Sequence, residues 1–288
     1  MRTRKVFNRV ASLMLAVVMM VGIFSAVSPQ QAEAAAKTKS FKSTGTSSVT
    51  IKDSECYSKS GKRNVHWIKF KAGVTGYVTI TMTDASKDYS YSAGYVTFCN
   101  SKKGAIGQKK EYWQTNSSYN LRKTKTYGIR KNKTYYFRVE CAAGAKLKAT
   151  VKSVKKSTAN TKAKAKSLWK KKQVSGIMVA GESKADWYKI KLTKSQILKL
   201  TYSAKTNGEN DYAGIKVSFY KSNGKLFMNN GPTNRSVDWV SPLNPSSWMR
   251  FYRTVNYSQK IGIPAGTYYV KVERYDKYSS GYYTLKWQ

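Results

Sequence analysis

The stretch Thr134-Tyr135-Tyr136-Phe137-Arg138-Val139-Glu140 recurs as Thr267-Tyr268-Tyr269-Val270-Lys271-Val272-Glu273, and this repetition decides the fold. Apolar and polar residues alternate with period two. That pattern places one face in a core and the other in water, as in an antiparallel strand. β-branched and aromatic residues dominate both copies, as strands favour. Each copy is preceded by Gly-Ile, at 128–129 and 262–263, and followed by a last alternating run, at 145–151 and 282–287.

Working outward, further segments match in the same order. Val65-His66-Trp67-Ile68-Lys69-Phe70 parallels Ala185-Asp186-Trp187-Tyr188-Lys189-Ile190. Residues 77–83 parallel 197–203, Asp88-Tyr89 parallels Asp211-Tyr212, and 94–98 parallel 214–219 with one residue added. The offset is 120 residues at the Trp pair and 133 at the Tyr pair, with the extra residues of the second copy placed at Met228 to Tyr252. A period above about 100 residues marks a duplicated domain, because solenoid repeats run 20–50 residues. The expected fold class is all-β: two tandem antiparallel β-sandwich (jelly-roll-like) domains joined by a Lys-rich linker.

The chain has 53 Lys+Arg and 14 Asp+Glu, a formal charge of +39 over 288 residues, with 41% hydrophobic residues. This is a globular composition with an extreme sign bias, unlike the apolar-poor profile of disorder. Residues 1–34 read as a secretory signal: Arg2, Arg4, Lys5 and Arg9, then an apolar run from Val10 to Val27, then Ala32-Glu33-Ala34. Cleavage there leaves 49 basic and 13 acidic residues, so the charge belongs to the exported chain. No second apolar run follows, so no transmembrane span is expected after signal removal. The expected organisation is a signal at 1–34, a basic flexible segment at 35–48, a first sandwich at 49–154, a Lys/Ala/Ser/Thr linker at 155–166 held open by self-repulsion, and a second sandwich at 167–288.

Trp187-Tyr188-Lys189-Ile190, then Ile263-Pro264-Ala265-Gly266-Thr267-Tyr268-Tyr269-Val270-Lys271-Val272, then Gly281-Tyr282-Tyr283-Thr284-Leu285 resembles the bacterial pre-peptidase C-terminal domain. It is more distantly similar to the collagen-binding modules of clostridial collagenases. The first copy departs from the motif, with Lys131-Asn132-Lys133 in place of the Pro-Ala-Gly turn. The resemblance implies a β-sandwich and a non-catalytic accessory module. It also raises calcium binding, for which Asp84/Asp88 and Glu209/Asp211 are the available carboxylates. A hard cation wants six to eight oxygens, so these pairs read better as turns, and neither a metal nor a cofactor is expected.

Catalytic material is sparse. His66 is the only histidine, and no HExxH, GxSxG, P-loop or GxGxxG pattern occurs. A hydrolase would have to use carboxylates in a cleft. Cys56, Cys99 and Cys141 all fall in the first copy, and their spacing leaves the pairing open. Trp67, Trp187, Tyr136 and Tyr269, in the repeated strands, read as core or packing residues. Candidate ligand-binding aromatics lie outside the repeat: Trp239, Trp248, Arg250 and Tyr252 in the second copy, and Tyr112 and Trp113 in the first. Candidate polyanion contacts are Lys155, Lys156, Lys162, Lys164, Lys166, Lys170, Lys171 and Lys172. The expected function is a secreted, non-enzymatic surface or matrix protein retained by anionic cell-wall or extracellular polymers, with no specific nucleic-acid partner. The alternative is a carbohydrate- or matrix-protein-binding adhesin module. The sequence leaves oligomeric state open.

Overall fold

Strand parity sets what faces inward. β3 (His66–Lys71) buries Ile68 and Phe70 and exposes Lys69 and Lys71, while β8 (Thr134–Cys141) buries every second residue from Tyr135 to Cys141. The computed structural model describes residues 38–288 except 119, 156–158, 229–234 and 257. The segment read as an export signal, 1–34, and Lys156 lie outside the described residues.

Two sandwiches follow one plan. In the first, a five-stranded sheet ordered β1 (Lys39–Ser40), β3, β8, β5 (Ala93–Cys99), β6 (Glu111–Gln114) faces a four-stranded sheet ordered β2 (Gly45–Ile51), β9 (Ala145–Ser153), β4 (Gly76–Asp84), β7 (Thr124–Ile129). In the second, the five strands are β10 (Lys166–Ser167), β12 (Asp186–Leu192), β19 (Gly266–Arg274), β14 (Ile215–Lys221) and β15 (Val237–Val240). The facing four are β11 (Val174–Met178), β20 (Ser280–Trp287), β13 (Leu198–Asn207) and β16 (Ser246–Phe251). A hairpin of β17 (Arg253–Val255) and β18 (Gln259–Ile261) lies just beyond the Met228–Tyr252 segment added to the second copy. The spatial order is the same in both copies. Within the sandwiches every pairing is antiparallel except the short β1–β3 and β10–β12 contacts. Each sandwich has its own apolar core, one around Phe98, Phe137 and Tyr127, the other around Phe219, Phe251 and Tyr268.

Two expectations about basic segments are corrected. The 35–48 stretch is not simply flexible: it holds β1 and the start of β2, and Phe41 is buried edge-on to Phe137, with centroids 5.8 Å apart. In the 155–166 stretch, the described residues from Ala159 onward are not an open linker either. Ala159 is buried and its carbonyl accepts the Trp187 N–H at 2.7 Å. Lys162 Nζ donates to the Ser222 carbonyl at 2.6 Å and sits 4.8 Å from the Tyr269 ring centre. One physical reason covers both. A single apolar anchor, Phe41 or Leu168, enters each core, and its N–H donates to the matching strand at Lys69 or Lys189. Between anchors, small side chains let the backbone lie along the sheet edge while lysine stems reach outward.

The sandwiches pack into one compact unit spanning Thr38–Gln288. Strand β7 is central to the junction: the Gly128 carbonyl accepts the Ala180 N–H at 3.0 Å, and its own N–H donates to Ser280 Oγ at 3.2 Å. Tyr77 packs on Tyr282 with ring centres 5.4 Å apart. Buried Lys125 bridges Glu111 and Asp211, each at 2.7 Å, and Arg130 pairs with Glu182. Burial pushes the Glu111 carboxyl up, while at Lys125 burial is outweighed by the two carboxylates and the ammonium stays charged. The register places Met249 of the second copy where the first has Lys125. Lys125→Ala leaves Glu111 buried without its cation and is expected to cost about 3–5 kcal/mol. Pairing Lys125→Met with Glu111→Leu should recover most of that loss, as chemical denaturation of the two variants would measure.

Candidate functional site

The register sorts the predicted aromatics. Glu140, Tyr95 and Tyr112 form one cross-strand row, and Glu273, Lys216 and Trp239 form its counterpart. Tyr112 and Trp239 therefore occupy equivalent outward positions, and both are exposed. Tyr112 lies 5.8 Å from Tyr95, and Trp239 lies 5.7 Å from Tyr275 with the Arg235 guanidinium 5.9 Å from its ring. Trp113 is corrected: it is fully buried, paired in register with Gly94, on the inward parity of β6 opposite to that of Tyr112. Tyr252 is also corrected, since it is buried just beyond β16 beneath Lys260, whose Nζ is 4.9 Å from the ring centre.

Trp67, Trp187, Tyr136 and Tyr269 are not core residues. Parity gives the core to Ile68, Phe70, Phe137 and Val270 and turns the four rings onto the outer faces of the five-stranded sheets, where they are half-buried. Cations lie over them. Lys103 Nζ is 4.6 Å from the Trp67 ring centre and Lys271 is 5.8 Å from Trp187. Such contacts contribute about 0.5–1 kcal/mol each at exposed positions.

The most distinctive surface joins two groups of predicted residues that are far apart in sequence. Trp248 and Arg250 project from the outer face of β16, where Trp248 lies in a row with Thr201 and Lys286. Trp248 is 55% exposed and stands between two hollows. One, of about 400 Å³, is lined by Ile197, Lys199, Trp248, Arg250 and Gln288; the other, of about 540 Å³, includes Gln173, Thr201, Thr284 and Lys286. Lys199 Nζ is 5.2 Å from the Trp248 ring centre. The 169–172 turn borders this ground: the Lys172 N–H donates to the Trp169 carbonyl at 3.1 Å and Lys170 Nζ to Gln196 Oε1 at 2.7 Å. Lys171 has φ +61°, and its N–H is tied to the Trp287 carbonyl at 2.7 Å. Trp169 is 71% exposed at the start of that turn. The face thus combines two exposed tryptophans with Lys170, Lys171, Lys172, Lys199, Arg250 and Lys286. Among the described residues no Asp or Glu lines either hollow.

Sequence reasoning missed Trp169, although it directly precedes the lysine run it had singled out. Of the remaining predicted lysines, Lys155, Lys164 and Lys166 are exposed away from this turn, and Lys162 is engaged at Ser222. A second omission lies in the first sandwich. Residues 52–65 form an insertion relative to the shorter β11–β12 connection and contain a single helical turn, α1 (Asp53–Cys56). With the 89–94 and 142–143 segments it encloses a hollow of about 290 Å³ lined by Tyr57, Arg63, Tyr89, Tyr91 and Tyr112.

Titratable groups are occupied elsewhere. Asp84 Oδ1 accepts the Ser86 N–H and the Ser92 hydroxyl, and Asp211 is paired with Lys125. Buried Asp186 accepts from the Tyr283 hydroxyl at 2.7 Å, while Asp238 accepts from Tyr202, Arg235 and Ser247. Asp186 and Asp238 end one inner row across Val272 and Val217, about 14 Å apart by strand spacing. Among the described residues no three metal-ligating side chains cluster, and no helix is long and apolar enough to cross a membrane. His66 Nε2 lies 3.0 Å from the Glu55 carbonyl and so donates to it. Burial lowers the imidazole pKa below 6.5 in spite of that bond. Stability from neutral His66 is therefore full above about pH 6.5 and lost as pH falls below it. The Tm should drop between pH 7.5 and 5.5, and drop less in His66→Gln.

No protein-family model matches the sequence, and no curated protein matches it. Solved structures similar to it include the CUB1-EGF-CUB2 domains of rat MASP-1, at 7% identity and TM-score 0.25, covering 86% of this chain and 99% of that one. Tripeptidyl peptidase 2 is similar at 9% identity and TM-score 0.30, covering 86% of this chain and 24% of that one. The cowpea mosaic virus top component is similar at 8% identity and TM-score 0.24, covering 90% and 93%. Likenesses this low carry no weight for function, and the β-sandwich assignment rests on the sheets themselves.

Proposed function

We propose that this is an exported, non-catalytic binding protein that holds to anionic cell-wall or extracellular polymers through the Trp169/Trp248 face. The observation that carries the reading is exposed Trp248 set among Lys199, Arg250 and Lys286 with no lining Asp or Glu, and exposed Trp169 with Lys170, Lys171 and Lys172 on the bordering turn. Lysine is a flexible point charge suited to repeated phosphate or carboxylate groups. The indoles would pack on the polymer's ring or aliphatic parts, supplying contact that charge alone lacks. The signal-like leader, the charge of +39 and the resemblance of the second copy to pre-peptidase C-terminal domains support the same reading. An adhesin that selects a neutral glycan through its aromatics is the second reading, favoured by the exposure of Trp248 between two hollows.

Salt separates the two. Retention of residues 35–288 on immobilised poly(glycerol phosphate) should fall by about a hundredfold between 50 and 200 mM NaCl, because displaced counterions drive the contact. Saturable glycan binding that persists unchanged at 200 mM would favour the adhesin reading instead.

A further inference from the structure

The 52–65 insertion of the first sandwich has no counterpart in the second, and it is held by little regular structure. One helical turn and an isolated bridge between Tyr57 and Arg63 are its only elements. Yet it brings Tyr57 and Arg63 to the lining of the tyrosine-lined hollow, which Ala142 and Ala143 share. Directly beneath, Cys56 at the end of α1 and Cys141 at the end of β8 stand with their sulfurs 3.7 Å apart, both buried. Each cysteine is thus followed in sequence by a residue lining the hollow, Tyr57 after Cys56 and Ala142 after Cys141. Cys99 is elsewhere: it pairs with Tyr136, five residues along β8 from Cys141, about 17 Å away, and its thiol faces the Thr97 carbonyl at 3.6 Å.

We propose that Cys56 and Cys141 form a disulfide in the exported protein, pinning the insertion to β8 and fixing the lining of the hollow, while Cys99 stays a thiol. Both sulfurs are buried in the folded chain, so the bond would form as the chain folds, before the site closes. The Cys56 thiolate attacks one sulfur of an oxidant disulfide, of the oxidoreductase or glutathione class, and releases one thiol. Cys141 then displaces the second thiol from the mixed disulfide. Two protein thiols are oxidised to one disulfide, and one oxidant disulfide is reduced to two thiols. The bond would close a loop of 85 residues, a span over which a cross-link strongly restricts the unfolded chain.

The test refolds the full chain from denaturant in a mixture of oxidised and reduced glutathione and in reductant alone. Thiols are counted in denaturant, and disulfides are mapped by peptide mass. The expected result is one thiol per chain after oxidative refolding against three in reductant, with a single cross-linked peptide joining Cys56 to Cys141. The oxidised form should melt roughly 5–10 °C higher. It should also be cut more slowly by trypsin at the exposed Lys59, Lys62 and Arg63. Cys99→Ser should keep the cross-link. Three thiols after oxidative refolding, or a cross-link that uses Cys99, would overturn the proposal. The wild-type map decides the question even if Cys56→Ser fails to fold.

Discussion

Gly128→Val should destabilise the protein by about 3 kcal/mol or more. A Cβ at Gly128 would lie 2.0 Å from the Met178 carbonyl oxygen and 3.2 Å from the Gly281 nitrogen. Both are backbone atoms of the second sandwich, and neither can swing aside as a flexible side chain would. The same residue exchanges hydrogen bonds with Ala180 and Ser280, so separating the strands to admit a side chain also breaks those bonds. The bridge of Lys125 to Asp211 and the Arg130–Glu182 pair lie along the same junction and would open with it. Opening the junction takes Asp211 from Lys125 and leaves it paired with Glu111 alone, which adds to the cost. Differential scanning calorimetry is the direct measurement. A lower Tm is expected, with the single transition of the wild type split in two as the sandwiches melt separately. Unchanged melting would mean that the junction does not couple them.

Neutralising the 169–172 turn has the second large effect. Lys170, Lys171 and Lys172 are all exposed and lie on one short turn whose backbone is held at Trp287 and Trp169. A lysine close to an anionic surface contributes about 1 kcal/mol. The triple Lys→Ala variant should therefore bind poly(glycerol phosphate) about a hundredfold more weakly at low salt, and its dependence on salt should flatten. Stability should fall by no more than about 1 kcal/mol, because the three lysines are exposed and only Lys170 has side-chain contacts to lose, at Gln196 and the Trp287 ring. Equal loss from neutralising Lys155, Lys164 and Lys166 would show that charge acts diffusely instead of through this face.

Much of the architecture was legible because duplication repeats the evidence. The Tyr-Tyr strands, the Trp strands and the alternating runs each occur twice in order, and both copies fold with the same strand order. What failed was the reading of single positions. Trp67 and Tyr136, in the repeated strands, read as core or packing residues; they pack on each other on the outer face, because Ile68 and Phe137 beside them claim the inward parity. The basic stretches looked open because lysine and alanine dominate them. Their order depends on one apolar anchor each, Phe41 and Leu168, beside strands of two residues, too short for any periodicity to register. The Trp169/Trp248 face was half visible. Both of its parts were singled out, but only the closing of β20 beside β13 brings the turn at 169–172 next to β16. The tyrosine-lined hollow was out of reach, because its walls come from three separate loops.

The most direct test compares wild type with the double variant Trp169→Ala/Trp248→Ala in one titration with poly(glycerol phosphate) at 50 mM NaCl, with Tm measured on the same samples. Both indoles are exposed and neither is needed to fill a core, so the double variant should melt like the wild type while binding at least about tenfold more weakly. Equal affinity of the two proteins, at equal stability, would contradict the assignment of this face as the binding site.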